Sequence, residues 1–120
     1  MHRIISPQEA SIVRWLLDHA ARGDVSEYRS RPVEELWVVG GCDCGCCSLD
    51  FQPKRPGSRS KIIADALAVY PDGQEAGLIL WGRDGMIRSL EVFDHHPGAS
   101  HRVPEISNLR TYEERGRELL

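Results

Sequence analysis

The chain has 120 residues, which fits a single domain spanning 1–120. With 41% hydrophobic and 28% charged residues it can bury an ordinary core, which excludes a disordered chain. A formal net charge of −3 gives no general attraction to phosphate backbones, so no nucleic-acid partner is expected.

Ser6-Pro7-Gln8-Glu9 is a helix start. Ser6 can cap the N–H three residues on, Glu9 can reach back to complete a capping box, and Pro7 suits the first helical position. Ala10, Val13, Leu17 and Ala20 recur at spacings of three and four, Ile12 and Leu16 widen the stripe, and Trp15 flanks it. Gly23 supplies a stop. The pattern predicts an amphipathic helix from Pro7 to about Ala21. Asp24 to Pro32 is polar and reads as a connection or short helical turn, and Val33 to Leu36 adds another turn.

Leu36-Trp37-Val38-Val39 is rich in strand formers. Cys47, Leu49 and Phe51 alternate with Ser48, Asp50 and Gln52, the period of a half-buried strand. These two strands are expected to form a hairpin with the cysteines at its tip. Pro53 to Ser60 is the most loop-like stretch. Together with Lys61 it supplies four positive charges but no aromatic residue for base stacking, and reads as solvated. Ile62 to Tyr70 is a third strand with Ile63, Leu67 and Val69 on one face. Asp65 falls on that same face, and the alternative is a short helix over Ala64 to Ala68. Pro71-Asp72-Gly73 is a turn, Ala76 to Trp81 a fourth strand, and Arg83-Asp84-Gly85 a tight hairpin. Met86 to Phe93 is a fifth strand whose alternation needs a bulge near Ser89. Asp94-His95-His96-Pro97-Gly98 ends it. The rest is irregular until a short charged helix from Thr111-Tyr112-Glu113-Glu114. The predicted fold is α+β: an antiparallel meander sheet of four to five strands with the N-terminal amphipathic helix packed on one face.

All four cysteines fall within Gly40-Gly41-Cys42-Asp43-Cys44-Gly45-Cys46-Cys47. Thiolates suit zinc, and His95, His96 and His101 follow the last strand. Cys42, Cys44, Cys46 and Cys47 with these histidines are therefore the candidate metal ligands, with zinc the candidate cofactor. The Cys-x-Cys-x-Cys-Cys spacing argues against the usual paired arrangement. Alternate residues of an extended chain lie about 6.6 Å apart, so one ion needs a tight turn, which Gly45 can provide. A nucleophilic thiol needs a lowered pKa, yet a strand follows the loop and Asp43 would raise it. The competing reading is that the cysteines are small buried residues in a crowded hairpin. No phosphate-binding glycine motif, Gly-x-Ser-x-Gly or His-Glu-x-x-His occurs. Trp15, Trp37 and Trp81 are expected at the core or its edge, and an exposed one would point to a partner surface.

No apolar run approaches the ~20 residues that span a bilayer, and the N-terminus lacks a signal-peptide pattern. Both favour a cytoplasmic location with reduced thiols and no membrane partner.

Three pieces of the chain carry a resemblance. They are Arg3-Ile4-Ile5-Ser6 with Glu9 and Trp15-Leu16-Leu17, the Gly41-to-Phe51 cysteine segment, and Leu80-Trp81-Gly82 followed by Leu90-Glu91-Val92. Together they resemble a family of small bacterial proteins known only as a domain of unknown function, so the resemblance implies no activity for any residue. The ending Leu90-Glu91-Val92 is also similar to small immunity-type proteins encoded beside bacterial toxins, a likeness of fold alone. The absence of a recognisable catalytic set favours a cytoplasmic, non-enzymatic binding module, with a protein partner or a homodimer. The alternative is a metal-binding or thiol-dependent protein using the Cys42–Cys47 loop and the histidines.

Overall fold

The first helix starts as its sequence dictates. In a computed structural model, which describes residues 2–41, 45–52 and 60–120, helix α1 spans Pro7–His19. Ser6 Oγ accepts the Glu9 N–H and Glu9 Oε1 accepts the Ser6 N–H. The same Glu9 carboxylate receives two bonds from the Arg3 guanidinium, at 2.7 and 2.8 Å. One side chain thus closes the capping box and ties the helix to strand β1 (Arg3–Ile4).

Arg3, and then Ser6, hold the Glu9 carboxyl below its usual range. A depressed folded-state pKa adds stability that is present above the unfolded value and lost as pH falls through the folded one. Glu9→Gln is therefore expected to cost about 1–2 kcal/mol near pH 7, because an amide keeps one acceptor but loses the charge-assisted pair. Urea unfolding at several pH values checks this. The gap between wild type and variant should shrink on acidification and vanish once the wild-type carboxyl is protonated.

Ala10, Ile12, Val13, Leu16 and Leu17 form the buried stripe of α1, and Trp15 packs half-buried beside them. A short helix, α2 (Ser26–Arg29), and a 3-10 turn at Val33–Glu35 lead into the sheet. The remaining strands are β2 (Trp37–Gly41), β3 (Leu49–Phe51), β4 (Lys61–Val69), β5 (Glu75–Arg83), β6 (Met86–Asp94) and β7 (Leu109–Arg110). Helix α3 (Tyr112–Glu118) follows, with Thr111 and Glu114 forming a second capping box.

Among the described residues the sheet has seven antiparallel strands in the order β1-β2-β3-β6-β5-β4-β7. This corrects the expected four or five. The five predicted strands all form. The additions are β1 and β7, two residues each, which are too short to show any periodicity and exist through their pairing with β2 and β4. The meander is also corrected, since it holds only for β4-β5-β6. The β2–β3 hairpin joins through β6, so β3 and β4, consecutive in sequence, have two strands between them in the sheet.

The faces follow from the register, because directly opposed residues share a face. Ala66, Leu78 and Val92 form one row, and Ala64, Leu80 and Leu90 the next. These residues belong to the core cluster that includes the α1 stripe. The opposite face carries Leu67, Gly77 and Phe93 in one row and Asp65, Ile79 and Glu91 in another. Asp65 is thus no blemish in the core. A register shift between Ile62 and Ala64 puts Ile63 in the core with Ala64, Ala66 and Ala68, and leaves Asp65 outside, paired with Arg22 at 2.6 Å. The alternative helix over Ala64 to Ala68 does not form. The bulge expected near Ser89 is present, opposite Trp81 and Gly82.

Candidate functional site

Strand β3 is short, and that shortness makes the site. It pairs with β6 only at Leu49↔Leu90 and Asp50↔Ser89. Beyond Leu90, the backbone of β6 has no strand beside it on that side. The Ser48 hydroxyl takes the missing strand's place. It accepts the Val92 N–H at 2.8 Å and lies 3.2 Å from the Val92 carbonyl oxygen, to which it donates. Cys46 Sγ lies 3.2 Å from the same hydroxyl and donates to it. Ser48 has one proton and two lone pairs. All are committed, so Ser48 is not set up as a nucleophile.

A cleft of about 500 Å³ opens beside this broken ladder. Gly41, Cys46 and Ser48 line one side, and β6 from Ser89 to Asp94 lines the other. Ser100, 95% buried, closes one end. Phe93 forms part of the wall. The far end of its ring lies over Gly77, where an added Cβ would come within 2.1 Å of Cζ, so glycine is what lets the aromatic side chain lie against the sheet.

The turn after β6 holds the base of the cysteine segment. Asp94 accepts the N–H groups of Ser100, at 2.7 Å, and Gly98, at 3.3 Å. The Ser100 side chain, then these N–H groups, hold the Asp94 carboxyl below its usual range, so it stays anionic. The Ser100 carbonyl in turn accepts the Cys47 N–H at 2.8 Å. Gly45, with φ of +86°, makes the turn its residue type allows, and a Cβ there would meet the His101 ring at 3.4 Å. The loop and the histidine segment therefore do meet at one end of the sheet.

They do not meet as a ligand set among the described residues. Cys42 and Cys44 lie outside those residues. Cys47 packs half-buried against the core, and burial, then Cys46 and Glu9, push its thiol up, which keeps it protonated and a poor nucleophile. Cys46 faces the cleft. His96 accepts the Glu75 N–H on Nδ1 at 2.9 Å, His95 packs at a tilt of 56° against Phe93 with ring centroids 5.3 Å apart, and His101 lies against Gly45. The three histidines thus serve three different contacts. No group of three His, Cys, Asp or Glu side chains close enough to hold a metal occurs among the described residues.

Three residues that matter here carry no motif. Ser48 reads only as the polar half of an alternating strand. Glu91, whose carboxylate accepts the Trp81 indole N–H at 3.0 Å, and Ser100 read as ordinary strand and loop residues. The alternation predicts a strand from Cys47, whereas β3 begins only at Leu49, so the gap that opens beside Glu91 and Val92 had no signal in the sequence. Trp37 is 41% exposed and pairs at the sheet edge with Ile4, 49% exposed, so that tryptophan is not a core residue. No helix is long and apolar enough to cross a membrane. Comparison with protein-family models, curated proteins and solved structures finds no match for the chain.

Proposed function

We propose that the chain is a non-enzymatic binding module that docks a partner protein in the cleft between the cysteine segment and β6. One observation carries this reading. The cleft sits where a sheet ladder is interrupted, and its wall is an extended strand bordered by an aromatic side chain. Such a slot suits a polypeptide segment laid alongside a strand. Its volume lies within the range of small-ligand and side-chain pockets. The chemistry around it favours binding over catalysis. The Ser48 hydroxyl is consumed by the ladder, the Cys47 thiol is held protonated, and His96 Nδ1 is occupied by a backbone N–H.

Selection of phage-displayed random peptides on the full chain tests the reading. Wild type should enrich a peptide family. Ser89→Trp, which fills the cleft from the exposed face of β6, should lose that enrichment while keeping its melting temperature. If the Ser89→Trp protein, or a second filled variant such as Ser89→Arg, binds the same peptides equally well, docking in the cleft is wrong.

A further inference from the structure

The rung missing from the ladder at Val92 can still form. We infer that the Cys46–Ser48 segment is a strap with two states, one standing off β6 as observed and one zipped onto it. Zipping closes the cleft, so the strap regulates docking there; this second half of the inference rests on the docking reading above.

The register defines the zipped state. Leu49 opposes Leu90 and Asp50 opposes Ser89, so continuing the ladder brings Ser48 opposite Glu91 and Cys47 opposite Val92. The Val92 N–H and C=O both point toward the strap, where the Ser48 hydroxyl holds them at 2.8 and 3.2 Å. Bonded and non-bonded pairs alternate along an antiparallel ladder, so Cys47 and Val92 would form a bonded pair. Zipping then exchanges partners without stranding Val92. Its N–H passes from Ser48 Oγ to the Cys47 carbonyl, and its C=O from the Ser48 hydroxyl to the Cys47 N–H. The core side chain keeps its face. Cys47 already packs against the core, and in the zipped register it joins the row of Leu78 and Val92. The alternation of Cys47, Leu49 and Phe51 with Ser48, Asp50 and Gln52 is the pattern of this longer strand.

Two further bonds hold the strap off β6. The Cys47 N–H donates to the Ser100 carbonyl at 2.8 Å, and the Cys46 thiol donates to the Ser48 hydroxyl at 3.2 Å. Zipping breaks both, while the two bonds to Val92 are replaced. An imbalance of one or two net hydrogen bonds is a population factor of about ten to a hundred. The zipped form is therefore a minor state of the free protein, and a partner that needs the cleft selects the major one. Removing the Ser48 hydroxyl inverts the balance. It deletes both bonds to Val92 and the thiol bond, and leaves only Cys47–Ser100 against two ladder bonds.

NMR of the isotopically labelled full chain tests the strap without any ligand. The diagnostic is a contact between the Hα atoms of residue 48 and Glu91, which approach closely across a non-bonded antiparallel pair. Ser48→Ala should show that contact and keep the Val92 amide protected from exchange. Its affinity for the displayed peptide enriched by wild type should fall at least about fivefold, since the competent state becomes the minor one. Ser48→Thr, which retains a hydroxyl, should behave as wild type. If Ser48→Ala fails to fold, Ser48→Val, with a side chain that suits a strand, carries the same test. A fast-exchanging Val92 amide with no contact between residue 48 and Glu91 would show that the rung does not form and overturn the inference. A zipped variant that binds the peptide as tightly as wild type would overturn the regulation of docking. If zipping is seen and wild type enriches no peptide, the two-state strap stands and the docking reading falls.

Discussion

Replacing Leu17 by alanine is expected to destabilise the fold by about 2–5 kcal/mol, as other large-to-small core changes do. Leu17 is 2% exposed and sits in the cluster that joins α1 to the sheet. The sheet beneath is floored by Ala64, Ala66 and Ala68, which have no longer side chains to swing into a void. The cavity left by the truncation should therefore stay open, which places the cost towards the upper part of the range. Leu17 also lies where α1 meets α2, because the Arg29 guanidinium donates to the Leu17 carbonyl near the helix end. Urea denaturation of the purified variant measures the effect. A loss below about 0.5 kcal/mol, the range of surface substitutions, would show that this face of α1 does not carry the core.

Gly82→Ala is the second large effect, and its cause is overpacking. An added Cβ at Gly82 would lie 2.6 Å from Tyr28 Cε1 and 3.0 Å from Ile63 Cδ1. Both neighbours are 1% exposed, so neither can swing out into solvent. The Tyr28 ring lies directly over the β5 backbone, and its hydroxyl is buried without a hydrogen-bond partner among the described residues. The expected cost of the extra methyl is about 1–3 kcal/mol. A double-mutant cycle with Tyr28→Leu isolates the cause. Trimming the ring should remove most of the Gly82→Ala penalty, giving a coupling of about 0.5–3 kcal/mol. An unchanged penalty in the Tyr28→Leu background would assign the cost to the β5 backbone and not to this contact.

The contrast between these two positions shows what the sequence discloses. Leu17 is legible because its neighbours repeat at helical spacing and Ser6 and Glu9 announce where the helix begins. Gly82 is not legible, since a glycine within a strand shows nothing of the ring that crosses it from residue 28. The same divide runs through the sheet. The five longer strands carry alternation or turn residues of their own. Strands β1 and β7 are two-residue pairings decided by distant partners, and the joining of β3 to β6 is a choice of neighbour that local pattern does not encode. Asp65 looked misplaced because a single register shift after Ile62 reverses which residues face α1, and nothing in Lys61-Ile62-Ile63-Ala64 marks that shift. For the site, the cysteines and histidines drew attention by type, and the structure does bring Gly45 and Cys47 to the segment containing Ser100 and His101. The residues that shape the cleft, Ser48 and Glu91, are common types whose significance lies wholly in what stands opposite them.

The broken ladder at β3 also bears on how the chain assembles. Strands β4, β5 and β6 are consecutive and joined by tight turns, so their pairing closes only short loops. Leu49 and Leu90 are about forty residues apart in sequence, and bringing them together costs more loop-closure entropy. Local hairpins form ahead of distant pairings when stabilities are similar. By this argument the β4–β5–β6 meander and the β2–β3 hairpin are each expected to pair before β3 joins β6. The two-rung contact between β3 and β6 is the seam between two locally paired units, and the cleft is the part of that seam left unstitched.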